Sequence, residues 1–312
     1  MVFCMDTVRT KHSNQSPMAD DLEQTQARLD NIRGVEPMLE ALRTISLGSW
    51  QAALKRKTVV TRYRKHIARI LPSLAPHLLT NQLVQGRKIA TSSSVIALVI
   101  GSERGLCGRF NAAIAEFTDQ YLARQESNGV RVEIWALGSR VVRILERRQR
   151  PISWSSALSA TSPPPYHLAF DLVRYWLSAY ERGNLGSVDV LYNVHLNAGR
   201  YTPSVERLFP LQIELVGQTW TGEPWPPPII ETEPRGLVAR IIEQLLASVL
   251  YESLLNSSVA EHSARYQLME EAEANIKRLS AELTVEVQMA RRNLITQEMQ
   301  ELAAGAGMIK SR

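Results

Sequence analysis

The feature that most constrains this chain is a long stretch near its C-terminus that contains neither proline nor glycine. It runs from Leu237 to Ala304, between Gly236 and Gly305. Folded as one α-helix, with a rise of about 1.5 Å per residue, it would be a rod of roughly 100 Å. Helices of globular proteins are usually far shorter, and they are stabilised mainly by packing against other elements. The stretch therefore predicts a rod that needs a partner beside it.

Apolar residues in this stretch follow a seven-residue repeat. Spacings of three, four and seven place them on one narrow stripe of a helix, as in a coiled coil. The stripe consists of Ile241, Leu245, Leu255, Val259, Tyr266, Met269, Ile276, Leu283, Val287, Ala290 and Leu294. Other positions of the same frame are polar, namely Ser248, Glu252, His262, Glu273, Ser280 and Gln297. Two interpretations are possible, a long helix packed on one domain and a coiled coil whose surroundings change along its length. This pattern favours the coiled coil.

A second long helix is predicted at the other end of the chain, over residues 21–76. Asp20 and Asp21 can cap its start, where negative charge is favourable. Its apolar seam consists of Leu22, Leu29, Ile32, Leu39, Leu42 and Ile45. Pro37 removes one backbone donor and is expected to kink or split this helix. Residues 1–20 are predicted to be a disordered or additional tail.

The two terminal helices can pair only if the middle of the chain folds as an inserted domain, which residues 80–230 would supply. Predicted strands and helices alternate there, which favours a parallel sheet. The strands are predicted at Ser94–Ile100, Val130–Leu137 and Val188–Leu196, and the helices at Phe110–Arg124, Ser139–Arg147 and His167–Arg182. The C-terminal helix is assigned to residues 235–312. The predicted fold class is therefore α/β, a long antiparallel coiled coil of N- and C-terminal helices with an inserted Rossmann-like α/β domain.

Composition excludes several classes of protein. The net charge of +5 is mildly basic and does not by itself imply nucleic-acid binding. The two cysteines, Cys4 and Cys107, give neither a disulfide framework nor a zinc pattern, so a reducing compartment is the simpler interpretation. No apolar run approaches the ~18 residues of a membrane span, and residues 1–18 do not resemble a signal peptide. We expect a soluble chain with no metal site, no cofactor and no catalytic residues.

The turn at residues 101–111, with sequence GSERGLCGRFN, follows a predicted strand and precedes a predicted helix. That placement is typical of loops that bind phosphate, but the glycine spacing fits neither common phosphate-binding motif. The preferred interpretation is a structural turn at Arg104, Gly105, Cys107 and Gly108, where glycine permits a close approach to another backbone. A nucleotide-binding α/β protein with coiled-coil arms, acting as a scaffold, remains the alternative function.

Positive charge is concentrated in the first long helix, since no acidic residue lies between Glu40 and Glu103. Lys55, Arg62 and Arg69 recur every seven residues and so share one face. The segment could be a solvated helix end, or it could face a protein surface lined with carboxylates. Nucleic-acid binding would call for interleaved aromatic residues and a groove-fitting fold. The sequence does not decide between the first two interpretations.

Two stretches of the last helix resemble the gamma subunits of F-type ATP synthases. Residues 260–275, AEHSARYQLMEEAEAN, resemble the family pattern S-E-x-S-A-R-x-x-A-M-x-x-A-x-x-N. Residues 290–302, ARRNLITQEMQEL, resemble its pattern A-R-Q-x-x-I-T-Q-E-L-x-E-I, and the Arg-Gly-Leu-Cys-Gly turn at 104–108 is similar to a further family motif. The resemblance covers residues 21–309.

This resemblance implies the central rotor shaft of a rotary ATP synthase, a subunit without a catalytic site. Its partners would be the alpha and beta subunits of the catalytic head, an epsilon-type subunit and the membrane c-ring, with no nucleic acid. The coupling ion, H⁺ or Na⁺, is not legible in this chain. The resemblance also implies a position on the cytoplasmic face of a bacterial inner membrane, as a peripheral part of the complex.

The resemblance further implies contact residues near the C-terminus. Arg291, Thr296 and Glu298 match family positions that bond loops of the catalytic subunits, and Arg292 replaces the family's glutamine. Lys55, Arg62 and Arg69 are expected to meet acidic surfaces of the hexamer. The first helix departs more from the family, because residues 41–46, ALRTIS, replace A-M-x-M-V-A. The chain thus resembles a divergent member, consistent with an alternative form of the complex.

Overall fold

A computed structural model describes residues 17–70, 94–210, 231 and 233–306 of the chain. Contacts between Cα atoms divide it into two units. One contains residues 17–41 and 270–306, and the other contains residues 42–269 where they are described. Residues 1–16 of the predicted tail (1–20) and the predicted domain boundaries near residues 80 and 230 lie outside the described residues, whereas residues 17–20 belong to the first helix.

The two terminal helices are both long. Helix α1 covers Pro17–Ile70 and helix α5 covers Pro234–Gly305. Helix α1 continues through Pro37, so this residue does not split the helix, and a kink there stays a prediction. Proline removes only one backbone donor, and the helix extends well beyond it on both sides.

The second unit is built on a five-stranded sheet. Its strands are β1 (Ser94–Ile100), β2 (Val132–Leu137), β3 (Ile152–Ser156), β4 (Leu185–Asn197) and β5 (Arg200–Phe209). Its shorter helices are α2 (Phe110–Ser127), α3 (Ser139–Arg147) and α4 (Tyr166–Glu181). The strand order is β3-β2-β1-β4-β5. Neighbouring strands from β3 to β4 are parallel, and β5 pairs antiparallel with β4. The sequence predicted the parallel centre but missed β3 and β5.

Helices cover both faces of this sheet, as the nearly continuous apolar sequence of β1 requires. On one face, side chains of β1 and β4 pack with α2 and α3 through Val99, Ile114 and Val141. On the other face, Leu98 and Trp176 pack with Leu246 and other residues of α5. The first part of α5 is therefore a core element of the α/β unit.

Residues 42–70 of α1 lie against this same part of α5. Thr61 Oγ1 donates to Glu252 Oε1 at 2.9 Å, and Arg64 Nε lies 2.9 Å from Glu252 Oε2. Ile67 joins the large apolar core on that side of the sheet. Glu252 thus receives two partners from α1, which fixes the register of the two helices in this unit.

In the other unit, residues 17–41 and 270–306 form an antiparallel helix pair. Leu29 packs with Leu283 and Val287 in a small apolar cluster. Arg33 Nη2 donates to Thr284 Oγ1 at 3.4 Å, and Arg291 Nη2 donates to Gln26 Oε1 at 3.4 Å. Residue numbers rise along one helix as they fall along the other, so the predicted antiparallel pairing is confirmed.

Candidate functional site

The turn between β1 and α2 is tight, and it requires glycine at two positions. A Cβ on Gly101 would lie 2.3 Å from Val141 Cβ, which no side chain can tolerate. Gly108 has φ +59°, in the left-handed region that glycine adopts without strain. Both observations support the interpretation of a structural turn, and the roles of Arg104, Gly105, Cys107 and Gly108 in it stay a prediction. The close neighbour of Gly101 is a side chain of α3, and the backbone of Gly101 and Ser102 also lies close to that of Gly138, as the sequence had suggested.

The interior of this turn is filled by the side chain of Asn111. Its Oδ1 accepts from the backbone N–H of Ser102 at 2.9 Å, and its Nδ2 donates to Ser102 Oγ at 2.7 Å and to Cys107 Sγ at 3.5 Å. Burial raises the pKa of the Cys107 thiol, so the sulfur stays protonated at neutral pH. Protein groups thus occupy the place where a phosphate-binding loop would present free donors, which argues against the nucleotide-binding alternative.

Helix α5 is bonded to the turn through Arg265. Its Nε donates to Gly105 O at 3.2 Å and its Nη2 donates to Arg104 O at 3.3 Å. The same guanidinium pairs with Glu261 Oε1 at 2.6 Å, and only 6% of the Arg265 side chain is exposed. We name this arrangement the Arg265 clamp, consisting of Glu261, His262, Arg265 and the two turn carbonyls. It is a dry, charge-assisted link between the last helix and the sheet.

The charges of the clamp depend on burial. Burial raises the pKa of Glu261 to about 7, against the attraction of Arg265 that favours its ionised form. Burial also lowers the pKa of His262 to about 4, and the nearby Arg265 charge acts in the same direction. His262 is therefore neutral near pH 7. Its Nδ1 lies 3.0 Å from Arg265 Nη1, which can only donate, so the proton of the ring resides on Nε2.

Apolar and small residues pack around the same junction. Cys107, Phe110 and Ala260 form a buried cluster with Tyr201 against it. Ser263 Oγ accepts from the backbone N–H of Gly199 at 2.8 Å. The last helix is therefore held to two separate loops of the α/β unit, those at residues 101–108 and 197–200.

The predicted basic face of α1 is exposed. Lys55, Arg62 and Arg69 all lie away from the surface that packs on α5, and within the described residues none of them contacts a carboxylate. Arg64, which the sequence analysis did not single out, takes the ion pair with Glu252. Three positive charges are thus free to meet another molecule.

The predicted contact residues near the C-terminus are also exposed. Arg291 reaches Gln26, and Thr296 Oγ1 donates to Arg292 O at 2.8 Å within its own helix. Across the described part of the chain, the charged ends of Arg292 and Glu298 contact no residue of opposite charge. Exposure leaves these groups available, and their role as contacts stays a prediction.

Sequence reasoning missed the Arg265 clamp. The family pattern at residues 260–275 contained all three side chains, but it gave no role to Glu261, His262 or Arg265. One signal was present, because Glu261 and Arg265 stand four residues apart within a stretch otherwise rich in serine and alanine. A pair of opposite charges among small side chains is typical of a helix that packs closely against another part of the backbone.

Membrane-spanning helices and metal-binding clusters are both absent from the described residues. None of the helices there is long and apolar enough to cross a membrane. The described part of the chain also contains no group of three or more histidine, cysteine or acidic side chains that could hold a metal ion.

The solved structures whose chains are similar to this one are rotor and head assemblies of ATP synthases. A chain from the Euglena gracilis mitochondrial ATP synthase, in a structure of its OSCP, F1 and c-ring, matches with a TM-score of 0.60 at 15% identity. That match covers 94% of this chain and 97% of the other. A chain from the rotor of the same enzyme matches with a TM-score of 0.57 at 12% identity, over 88% and 99% of the two chains. At these identities the likeness concerns the fold.

Comparison with protein sequences leads to the same group. The ATP synthase gamma chain of Rubrobacter xylanophilus is 28% identical over 292 residues, covering 91% of this chain and 97% of the relative. The ATP synthase gamma chain of Polynucleobacter asymbioticus is 23% identical over 291 residues, covering 92% and 99%. The family model described as ATP synthase matches residues 21–308. The chain therefore belongs to the ATP synthase family, among its gamma chains.

Proposed function

We propose that this chain is the central rotor shaft of a rotary F-type ATP synthase and has no catalytic site of its own. The observation that carries the proposal is the antiparallel pairing of the two terminal helices, with Leu29 against Leu283 and Val287, in a member of this family. A rod of two unlike helices presents a different face in each direction. As it turns, it can therefore change the nucleotide affinity of each surrounding catalytic subunit in sequence.

The proposed partners in the head are the alpha and beta subunits. Arg291, Arg292, Thr296 and Glu298 would bond loops of the catalytic subunits, since polar contacts can be made and broken at each step of rotation. Exposed apolar side chains beside them support contact with a surrounding protein. Met299 is 67% exposed and Leu302 is 74% exposed. A helix end in permanent contact with water would not favour such residues.

The basic face of α1 is proposed to meet acidic surfaces of the same hexamer. Lys55, Arg62 and Arg69 project from a helix whose opposite side is packed on α5. Positive charge on a rotating part gives long-range attraction without fixing one position.

The α/β unit is proposed to join the shaft to an epsilon-type subunit and to the membrane c-ring, on the cytoplasmic face of a bacterial inner membrane. The bacterial origin of the two relatives named above supports this location. Either H⁺ or Na⁺ would serve as the coupling ion, because the ligands of the ion belong to the ring. Any torque that enters through the α/β unit must reach α5, and the Arg265 clamp is one rigid route.

The experiment that tests this function uses the complex. The full chain is co-expressed with alpha and beta subunits from the same operon or genome, purified through a tag on beta, and fixed to a surface by the head. A bead on Arg143→Cys, an exposed position of α3, should rotate in one direction when ATP is added. A head that assembles and hydrolyses ATP without this chain bound, or a bead that stays still, would contradict the proposal.

A further inference from the structure

A cavity of about 590 Å³ lies beside the turn at residues 101–108, within the α/β unit. Its volume falls in the range typical of sites for small molecules. Helices α1, α3 and α5 and the turn all contribute to its wall. The cavity is not the space inside the turn, which the Asn111 side chain fills.

One side of this cavity is apolar and open to solvent. Leu42 and Ile45 of α1 and Leu106 of the turn line it. Ile45 is 49% exposed and Leu106 is 57% exposed. Leu106 also has φ +62°, a conformation that is strained for a leucine. The turn thus holds an apolar side chain at the mouth of the cavity although it gains little burial there.

The other side of the cavity offers donors. Arg104 and Arg140 line it, and among the described residues neither guanidinium has a carboxylate partner. The Arg140 guanidinium lies over the turn, 3.7 Å from the position of a Cβ on Gly105. His262, only 2% exposed, also lines the cavity. Its Nδ1 is occupied by Arg265, and its Nε2–H has no partner within the described part of the chain.

We propose that this cavity binds a small amphipathic carboxylate with an unbranched apolar chain. The carboxylate accepts hydrogen bonds from the two guanidiniums and from His262 Nε2–H, a donor set suited to an anion. The apolar chain covers Leu42, Ile45 and Leu106, of which Ile45 and Leu106 are exposed. No acidic side chain lines the described cavity to repel an anion.

This inference goes beyond the proposed function, because a rotor shaft requires no small-molecule ligand. A ligand in this cavity would touch α1, the turn and α5 together, and would therefore stiffen the α/β unit. The binding would be independent of assembly with partner subunits.

The test is a calorimetric titration of the full chain with sodium decanoate, at concentrations below those at which decanoate forms micelles. We expect one site with a dissociation constant of about 1 mM or tighter. Acetate, which has the head without the chain, and decyltrimethylammonium, which has the chain with a cationic head, should bind at least about tenfold more weakly. Equal binding of decanoate and decyltrimethylammonium, or no saturable binding of decanoate, would overturn the proposal.

Variants locate the site. Arg140→Gln should weaken decanoate binding by roughly tenfold, whereas Arg147→Gln, on the same helix and outside the cavity, should leave it unchanged. Leu106→Asn should also weaken binding while preserving the fold, since asparagine tolerates positive φ. If Arg140→Gln and Arg147→Gln weakened decanoate binding equally, decanoate would be attracted only by the net charge of the protein. That result would contradict binding in this cavity.

Discussion

Residues 257–265 of α5 are buried on every side, whereas residues 274–305 of the same helix bury only a narrow stripe. The first segment belongs to the α/β unit and contains serine, alanine and a paired charge cluster. The second pairs with one helix and follows the seven-residue repeat, with Leu283 and Val287 buried. A heptad pattern therefore describes the surroundings of the second segment. In residues 257–265, the small size of the residues and the pairing of their charges describe the packing better than an apolar stripe does.

The largest expected effect comes from breaking the buried segment at Arg265. Arg265→Met leaves Glu261 without its partner in a dry site, which should lower the free energy of unfolding by about 3–5 kcal/mol. Urea denaturation of the full chain measures it. The matched change Arg278→Met, in an exposed pair with Glu282, should cost less than about 1 kcal/mol. If both variants lost a similar amount of unfolding free energy, the buried and the paired segments would not differ in how they depend on charge pairs.

A companion variant separates lost charge pairing from lost packing. Glu261→Leu combined with Arg265→Met removes both charges and keeps apolar volume, so it should recover much of the stability lost in Arg265→Met. A double variant no more stable than the single one would show that the loss in Arg265→Met comes from the bonds to the turn carbonyls, which both variants lack, and not from the unpaired Glu261.

A smaller effect is expected from the paired segment. Leu283→Ala should destabilise the helix pair by about 2–3 kcal/mol, through lost burial and the space left behind. Hydrogen exchange of amides in residues 17–41 and 270–306 is the measurement, because unfolding of a chain with two units need not be one transition. Leu279→Ala, at an exposed position, is the control and should change exchange little. Faster exchange throughout the α/β unit as well would contradict separate behaviour of the two segments.

The pH dependence of stability should come from the buried segment. The folded pKa of Glu261, about 7, lies above its value in the unfolded chain, so the folded state binds more protons between about pH 4.5 and 7. The contribution of this group to stability is thus full at low pH and falls as pH rises towards 7. Relative to the parent, Glu261→Gln should gain at least about 1 kcal/mol between pH 5 and pH 8.

The comparison isolates Glu261, because the lowered pKa of His262 contributes in both proteins with the opposite sign. Denaturant midpoints of the two proteins at pH 5, 6, 7 and 8 provide the measurement. A constant difference across this range would show that Glu261 is ionised in the fold at all these values.

The smallest effect on stability is expected at the exposed end of α5. Arg291→Ala with Arg292→Ala should change the free energy of unfolding by less than about 0.5 kcal/mol, since both side chains are solvated. In the reconstituted complex the same pair should lower coupled ATP turnover severalfold if they contact the catalytic subunits. Arg278→Ala is the matched control. Unchanged turnover would remove these two residues from the proposed contacts.

Local sequence patterns predicted the elements of this fold that carry strong patterns of their own. Strand β1 and helix α3 were placed at their observed bounds, and β2, β4, α2 and α4 within a few residues. Strand β3 was missed because its sequence ISWSS has little apolar content, and β5 because Pro203 and its charged residues weaken the strand pattern. Both lie at edges of the sheet, where proline and polar residues are tolerated.

The candidate site was less predictable for a different reason. Arg291, Arg292 and Glu298 are exposed because they lie outside the apolar stripe. A local sequence pattern is therefore enough to predict their exposure. The clamp joins Arg265 to Gly105 across 160 residues. No pattern within either segment indicates which carbonyl the guanidinium will meet, because that depends on how the whole sheet is assembled.

The antiparallel pair also has a consequence for how the chain is made. Gln26 and Arg291 are separated by 265 residues, so the ribosome synthesises the first helix long before its partner. At about 5–20 residues per second, the wait is roughly 15–50 s. During that interval the apolar stripe around Leu29 has no cover from α5. The stripe is covered only after α5 has been synthesised.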